Sequence, residues 1–134
     1  MSTPTELGYR MPAEWEPHRA TWLSWPHKEA SWPGKLDVIL PVYARFVAEL
    51  TVSEPVHINV NDAAMEAQAR ALLDDAGATG AIQFHHFPTN DAWCRDHGAI
   101  FVLREGPAGR DLAATDWGYN AWGDKYPPYD LDNQ

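Results

Sequence analysis

Along residues 20–87 the hydrophobic period of this chain switches repeatedly between 2 and 3.6, and that alternation admits few folds. Residues 20–25 (ATWLSW) are rich in strand formers and stop at Pro26, which reads as a short strand. From Leu36 onward, Ile39, Leu40, Tyr43, Phe46, Val47 and Leu50 follow the spacing of one helical face. Pro41 removes a backbone donor inside that pattern, so the regular helix is predicted to begin near it or to kink there. Val56, Ile58 and Val60 alternate with His57 and Asn59, the signature of a half-buried strand. Asp62 then stands as an N-cap, and Met65, Ala69, Leu72, Leu73 and Ala76 form a second helical stripe ending at Gly77. Residues 82–87 read as a third strand stopped by Pro88, and residues 98–103 and 111–116 as two more around a Gly- and Pro-bearing turn. The order β-α-β-α-β-β-β predicts an α/β fold, and it carries neither G-x-G-x-x-G nor P-loop glycines, so no nucleotide site is expected.

A chain of 134 residues, 45% hydrophobic and 22% charged, has the size of one domain or less and the composition of a folded one. Its formal charge of −9 argues against a partner that is a nucleic acid or an anionic membrane surface and makes cations the favoured partners. The first residues lack the basic and apolar regions of a leader, and no stretch approaches the ~20 apolar residues of a membrane span. A cytoplasmic, soluble protein is expected. Cys94 is the sole cysteine, which excludes an internal disulfide and a Cys-x-x-Cys zinc site.

Seven tryptophans are unevenly spread, four in a Pro-punctuated opening segment, Trp93 in a polar loop, and Trp117 and Trp122 in a Gly-rich tail. The loop 90–98 (NDAWCRDHG) holds two carboxylates five residues apart with an indole between them, which suits a flat organic cation such as guanidinium. The same residues also fit a purely structural account, with Asp91 capping a turn, Asp96 paired to Arg95 and Trp93 in the core. Cys94, beside Arg95 and near His97, fits a buried structural thiol better than a nucleophile. His85 and His86 are adjacent on a strand and point to opposite faces, so a shared metal site with His97 is disfavoured. Asn120, Trp122 and Lys125 either wall a pocket or pin the tail, and Glu16 either faces a site or belongs to a turn anchored by Trp15. The 18 residues 117–134 show neither period nor cap, which predicts that the chain is the front part of a longer protein.

Taken in order, residues 11–18 (MPAEWEPH) with 21–26 (TWLSWP), 90–98 (NDAWCRDHG) and 116–125 (DWGYNAWGDK) resemble the agmatine deiminase family, the Porphyromonas-type peptidylarginine deiminases. The resemblance implies a five-bladed α/β propeller of ββαβ units. Residues 1–134 would be the N-terminal portion of its single catalytic domain and supply one to two blades. It implies hydrolytic deimination without metal or organic cofactor. Agmatine would become N-carbamoylputrescine and ammonia through a Cys-thiouronium intermediate, while relatives act on free or peptidyl arginine. By the same resemblance Asp96 grips the guanidinium, Trp93 walls the substrate pocket, and Asp91 and Arg95 give structural support, with Arg95 tied to a carboxylate. The family's Gly-Gly-x-x-x-His-Cys motif and its mid-chain histidine have no counterpart here, and Cys94 is not that nucleophile. Residues 1–134 alone are therefore expected to be inactive; a non-catalytic module that captures cations is the alternative.

Overall fold

The computed structural model describes residues 2–134. Three parallel strands, β1 (Thr21–Ser24), β2 (Val56–Val60) and β3 (Ile82–His86), form a sheet in that order. Two helices, α1 (Leu36–Leu50) and α2 (Ala63–Asp75), make the crossovers. Register places Thr21, Leu23, Val56, Ile58, Val60, Ile82 and Phe84 on one face, because side chains alternate and partners in register share a side. Both helices pack on that face: Leu40, Ala44 and Val47 of α1 and Ala69 and Leu73 of α2 join Val56, Ile58 and Val60 in one buried cluster with Trp25. Burial of these aliphatics is the main stabilisation of the unit, about 25 cal/mol per Å² of apolar surface removed from water.

Local chemistry sets the ends of these elements. The Asp62 carboxylate accepts the amide of Met65 at 2.8 Å, the N-cap expected from the sequence. Gly77 takes a positive φ just past α2, and Gly80 lies against Thr51 so closely that a Cβ would sit 2.2 Å from its carbonyl oxygen. The helix around Pro41 differs from expectation, since α1 begins five residues earlier, at Leu36. Pro41 is exposed in its second turn, where the ring meets solvent. Phe46 is half exposed and does not join the core face on which its spacing put it.

The chain then forms a short helix, α3 (Cys94–His97), and an antiparallel hairpin of β4 (Ile100–Gly106) and β5 (Gly109–Thr115), both strands displaced slightly from their predicted bounds. The N-terminal segment straps this hairpin, with Arg10 and Leu103 exchanging backbone hydrogen bonds of 2.8 Å each way. Arg104 lies 4.5 Å over the Tyr9 ring, and both donate to Asp111, Arg104 at 2.6 Å and Tyr9 at 2.8 Å. The Tyr9 and Arg104 hydrogen bonds hold the Asp111 carboxyl below its usual range. No helix among the described residues is long and apolar enough to cross a membrane.

Candidate substrate-binding cleft

All three parallel strands finish at one edge of the sheet, the position where open α/β sheets present their ligand crevices. Side chains from the ends of β1 and β2 fix the residue that opens the loop after β3. The Thr89 amide donates to the Asn61 side chain at 2.9 Å, and that side chain donates back to the Thr89 carbonyl at 3.3 Å. The His27 ring spans the carbonyls of Trp25 and Thr89 at 2.9 and 3.0 Å. Buried backbone groups thereby find partners without extending the sheet.

The next residues are locked to the tail. Asp132 accepts from the amides of Asn90 at 2.7 Å and Asp91 at 3.3 Å, while the Asn90 side chain accepts from the Leu131 amide at 2.7 Å. Asn133 repeats the device on Tyr119, accepting from its amide at 2.8 Å and donating to its carbonyl at 2.7 Å. Between these ties the chain makes one turn, Ala121–Asp124, with φ of 47, 57, 82 and 61°. Left-handed backbone at three non-glycine residues costs on the order of 1–3 kcal/mol each. The Asn120 side chain offsets part of that by accepting the Gly123 amide at 3.0 Å. The turn aims Trp122 at Trp93.

Together these segments enclose a cavity of about 610 Å³ lined by Lys28, Ser31, Asp91, Trp93, Trp122, Lys125 and Tyr126 among others. Its walls are aromatic. Trp93 stacks on Trp32 with centroids 5.7 Å apart and meets Trp122 edge-on at 6.2 Å; Trp122 in turn meets Tyr119 at 5.5 Å and Tyr126 at 5.9 Å. Its carboxylate is Asp91, only 5% exposed. One oxygen of Asp91 accepts the Ser31 hydroxyl and lies 3.7 Å from the Lys28 ammonium; the other accepts the Ala92 amide at 2.8 Å. Lys28, Ser31 and Tyr126 complete the lining although no motif singled them out, because folding brings them to the loop from the segment after β1 and from the tail.

Trp93 therefore stands in the cavity wall, whereas Asp96 does not line the cavity and is exposed. The reason is local: α3 begins at Cys94, so residues 95 and 96 turn outward on the helix while Asp91 is drawn inward by Ser31 and Lys28. Asp96 still acts on the rim electrostatically. Burial, then the charges of Asp132, Asp96 and Asp91, push the Tyr119 phenol up to about 12. Burial holds His97 below the usual imidazole range against those same three carboxylates. Arg95 pairs with Glu14 at 2.5 Å, not with Asp96. The Cys94 thiol is pushed up by burial and opposed by a Ser24 hydrogen bond, a setting that suppresses thiolate.

Other candidates resolve as structure. Glu16 accepts from Arg10 at 2.7 Å and from the Ala13 amide at 2.9 Å, contacts that hold its carboxyl down at about 2. The turn is thus anchored by Glu16 and not by Trp15, which is 89% exposed. His57 and His85 share one N–H across 2.8 Å, stacked under Trp22 on the sheet face away from the helices. No group of three or more His, Cys, Asp or Glu side chains among the described residues is placed to hold a metal ion. Chemically, the cleft offers aromatic stacking faces, which suit a planar cation, around a buried carboxylate that Ser31, Lys28 and the Ala92 amide already engage.

The family model for Porphyromonas-type peptidyl-arginine deiminase matches residues 10–134. The chain is 37% identical over 137 residues to the agmatine deiminase of Pseudomonas aeruginosa (strain LESB58), covering 99% of itself and 35% of that protein. It is 35% identical to the putative agmatine deiminase of Legionella pneumophila (strain Paris), covering 36% of it. Among solved structures, an agmatine deiminase of C. jejuni with substrate bound superposes with a TM-score of 0.75 at 30% identity, over 93% of this chain and 34% of that one. The arginine deiminase ascribed to Porphyromonas gingivalis superposes with a TM-score of 0.69 at 27% identity, over 92% and 34%. The chain thus spans about a third of the length of the curated relatives it matches. A family model matched from the N-terminal strap through the tail, over the same segments that build the cleft, establishes that this chain belongs to the Porphyromonas-type peptidyl-arginine deiminase family.

Proposed function

We propose that this chain supplies the guanidinium-recognising part of a cytoplasmic hydrolase that converts agmatine to N-carbamoylputrescine and ammonia. The observation that carries the reading is the cleft at the carboxyl edge of the parallel sheet, walled by Trp93 and Trp122 and built on a buried carboxylate. A guanidinium is delocalised and permanently charged, so it resists attack until anions fix it and an aromatic wall excludes water. Hydrogen-bond accounting divides the work. Both oxygens of Asp91 are engaged by Ser31, Lys28 and the Ala92 amide, which suits a supporting role. The exposed Asp96 carboxylate has no side-chain partner among the described residues, and its charge is felt at Tyr119, which touches Trp122, so it is free to accept guanidinium N–H groups from the rim. Arg95, held by Glu14, supports the loop from outside.

The nucleophile and the proton shuttle belong to later segments of the complete enzyme in this reading, and Cys94 stays a structural thiol. The architecture proposed is one to two ββαβ blades of a five-bladed propeller, within the N-terminal portion of one catalytic domain. The exposed Phe101 and Leu112 on one face of the β4–β5 hairpin support it, as an apolar surface that a further helix would cover. In the complete enzyme, Asp96→Asn is expected to lower kcat/KM through a loss of about 3–5 kcal/mol in transition-state stabilisation, while Asp91→Asn affects stability more than kcat/KM. Unchanged kcat/KM in Asp96→Asn, or ammonia release from agmatine by residues 1–134 alone, defeats the reading.

A further inference from the structure

One pair of metal-ligating side chains stands apart from the cleft, on the sheet face turned away from α1 and α2. Trp22 of β1, His57 of β2 and His85 of β3 share that face by strand alternation and register. Nδ1 of His57 and Nε2 of His85 are 2.8 Å apart, and the ring planes are inclined by only 14°. Face-to-face rings keep about 3.5 Å between their atoms, so a contact this short means that the two imidazoles meet edge to edge. The Trp22 indole stacks on both, 4.6 Å from each ring centroid, and covers one side of the pair. Neither histidine ring has another hydrogen-bond or ion-pair partner among the described residues. Trp22 is 40% and the neighbouring Phe87 60% exposed, so the face is open to solvent.

The separation of the two nitrogens discriminates among ions. Neighbouring ligands of a square-planar or tetragonal ion, at about 2.0 Å per bond, stand about 2.8 Å apart; a tetrahedral ion sets them about 3.3 Å apart and a linear one about 4 Å. The observed 2.8 Å matches the first geometry. Each ring then turns in its own plane so that the two lone pairs converge on one point. The imidazole that donates the shared hydrogen passes that proton through water to its own outer nitrogen, so both rings ligate in the neutral form. Imidazole suits copper(II) and nickel(II), copper(II) the more tightly, and a molecule of formal charge −9 draws cations to its surface. The same face carries an unmet acceptor: Oδ1 of Asn59, in register with His85, is buried without a hydrogen-bond partner and suits a water held by the ion.

We propose that His57 and His85 form a two-histidine site for a tetragonal transition-metal ion, copper(II) before nickel(II), with water in the remaining positions. Two protein ligands suffice for an ion that keeps its water elsewhere. The ion bridges β2 and β3, and because the unfolded chain does not hold the two rings together, binding stabilises the native sheet. The inference is independent of the reading of the cleft.

Titration of the protein with copper(II) chloride in a non-coordinating buffer at neutral pH tests it. One ion per chain should quench tryptophan emission, and Trp22→Phe should remove most of the quench, since that indole lies against both ligands. The electron paramagnetic resonance spectrum of the wild type should show two equatorial nitrogens, a reading that needs no variant to fold. His57→Gln and His85→Gln should each raise the dissociation constant about 30-fold or more and abolish the rise in urea midpoint that the ion gives the wild type. His18→Gln and His86→Gln, whose rings pair with Glu54 and Glu66 elsewhere, should leave the affinity unchanged. Nickel(II), which does not oxidise the Cys94 thiol, should repeat the pattern of the variants, and zinc(II) should bind at least about tenfold more weakly than copper(II). A spectrum with one nitrogen, an affinity indifferent to either His57→Gln or His85→Gln, or zinc(II) bound as tightly as copper(II) overturns the proposal. So does a complete enzyme that takes up no copper(II) at this pair, as it would if later segments covered Trp22 and Phe87.

Discussion

The β-α-β-α-β unit and the rim that follows it are held together by different physics. In the first, Val56, Ile58 and Val60 are sealed beneath two helices, and stability is spread over many apolar contacts. In the second, residues 90–98 meet the tail through a few hydrogen bonds of Asn90 and Asp132, and Asn133 ties the tail to itself at Tyr119, side chains standing in for a ladder that neither segment forms. Distributed burial tolerates small errors; a side chain that serves two backbone groups does not. The cleft is therefore built from the less redundant part of the molecule, resting on the more redundant one.

Substitutions can break that contrast in order of effect. Ile58→Ala, at the centre of the sheet, should cost about 2–5 kcal/mol, seen as a lower urea midpoint for the whole chain. A loss confined to the rim would show that the two regions unfold separately in the opposite sense. Asp132→Ala strands the amides of Asn90 and Asp91 and should cost about 1–3 kcal/mol. Hydrogen exchange is its measurement: protection should fall at Asn90 and Asp91 and persist in β2, and uniform loss would deny the rim its independence.

Acid should act on both regions. Burial and the neighbouring His57 hold His85 below the usual imidazole range, and burial does the same to His97. The folded state thus binds fewer protons than the unfolded one, so this stability is present above the unfolded value near 6.5 and lost as pH falls below it. The urea midpoint is expected to drop between about pH 7.5 and 5.5, and the drop to shrink in His85→Gln. An equal drop in that variant would assign the effect elsewhere. Smallest of all, Arg95→Ala removes a fully solvated pair with Glu14 and should change stability by less than about 0.5 kcal/mol. A larger loss in the same urea titration would mean that Arg95 supports the loop by more than this one exposed pair.

The same contrast explains what the sequence disclosed. Strand order, both long helices and the Asp62 cap could be read directly, because burial imposes its period on Val56, Ile58 and Val60 and on Leu40, Ala44 and Val47. The residues of the cleft were partly legible: the loop 90–98 announced an indole with two carboxylates, and Trp93 and Asp91 are among the residues that line the cavity. Which carboxylate turns inward was not, since that depends on where a four-residue helix starts and on Ser31 and Lys28, about 60 residues away in sequence. Exposure of Trp15 and Phe46 escaped for the converse reason, as hydrophobic type alone does not say which side of a turn or helix will be covered.

Because β1, β2 and β3 run in the same direction, every connection that leaves a carboxyl end starts on the side of the sheet where the cleft lies, and every connection that enters an amino end lies on the opposite rim. Inheritance can thus rewrite the residues that greet a ligand without renegotiating the packed interior, and substitutions that rescue a weakened interior can accumulate without touching recognition. Strand polarity gives this small unit two nearly separate mutational ledgers.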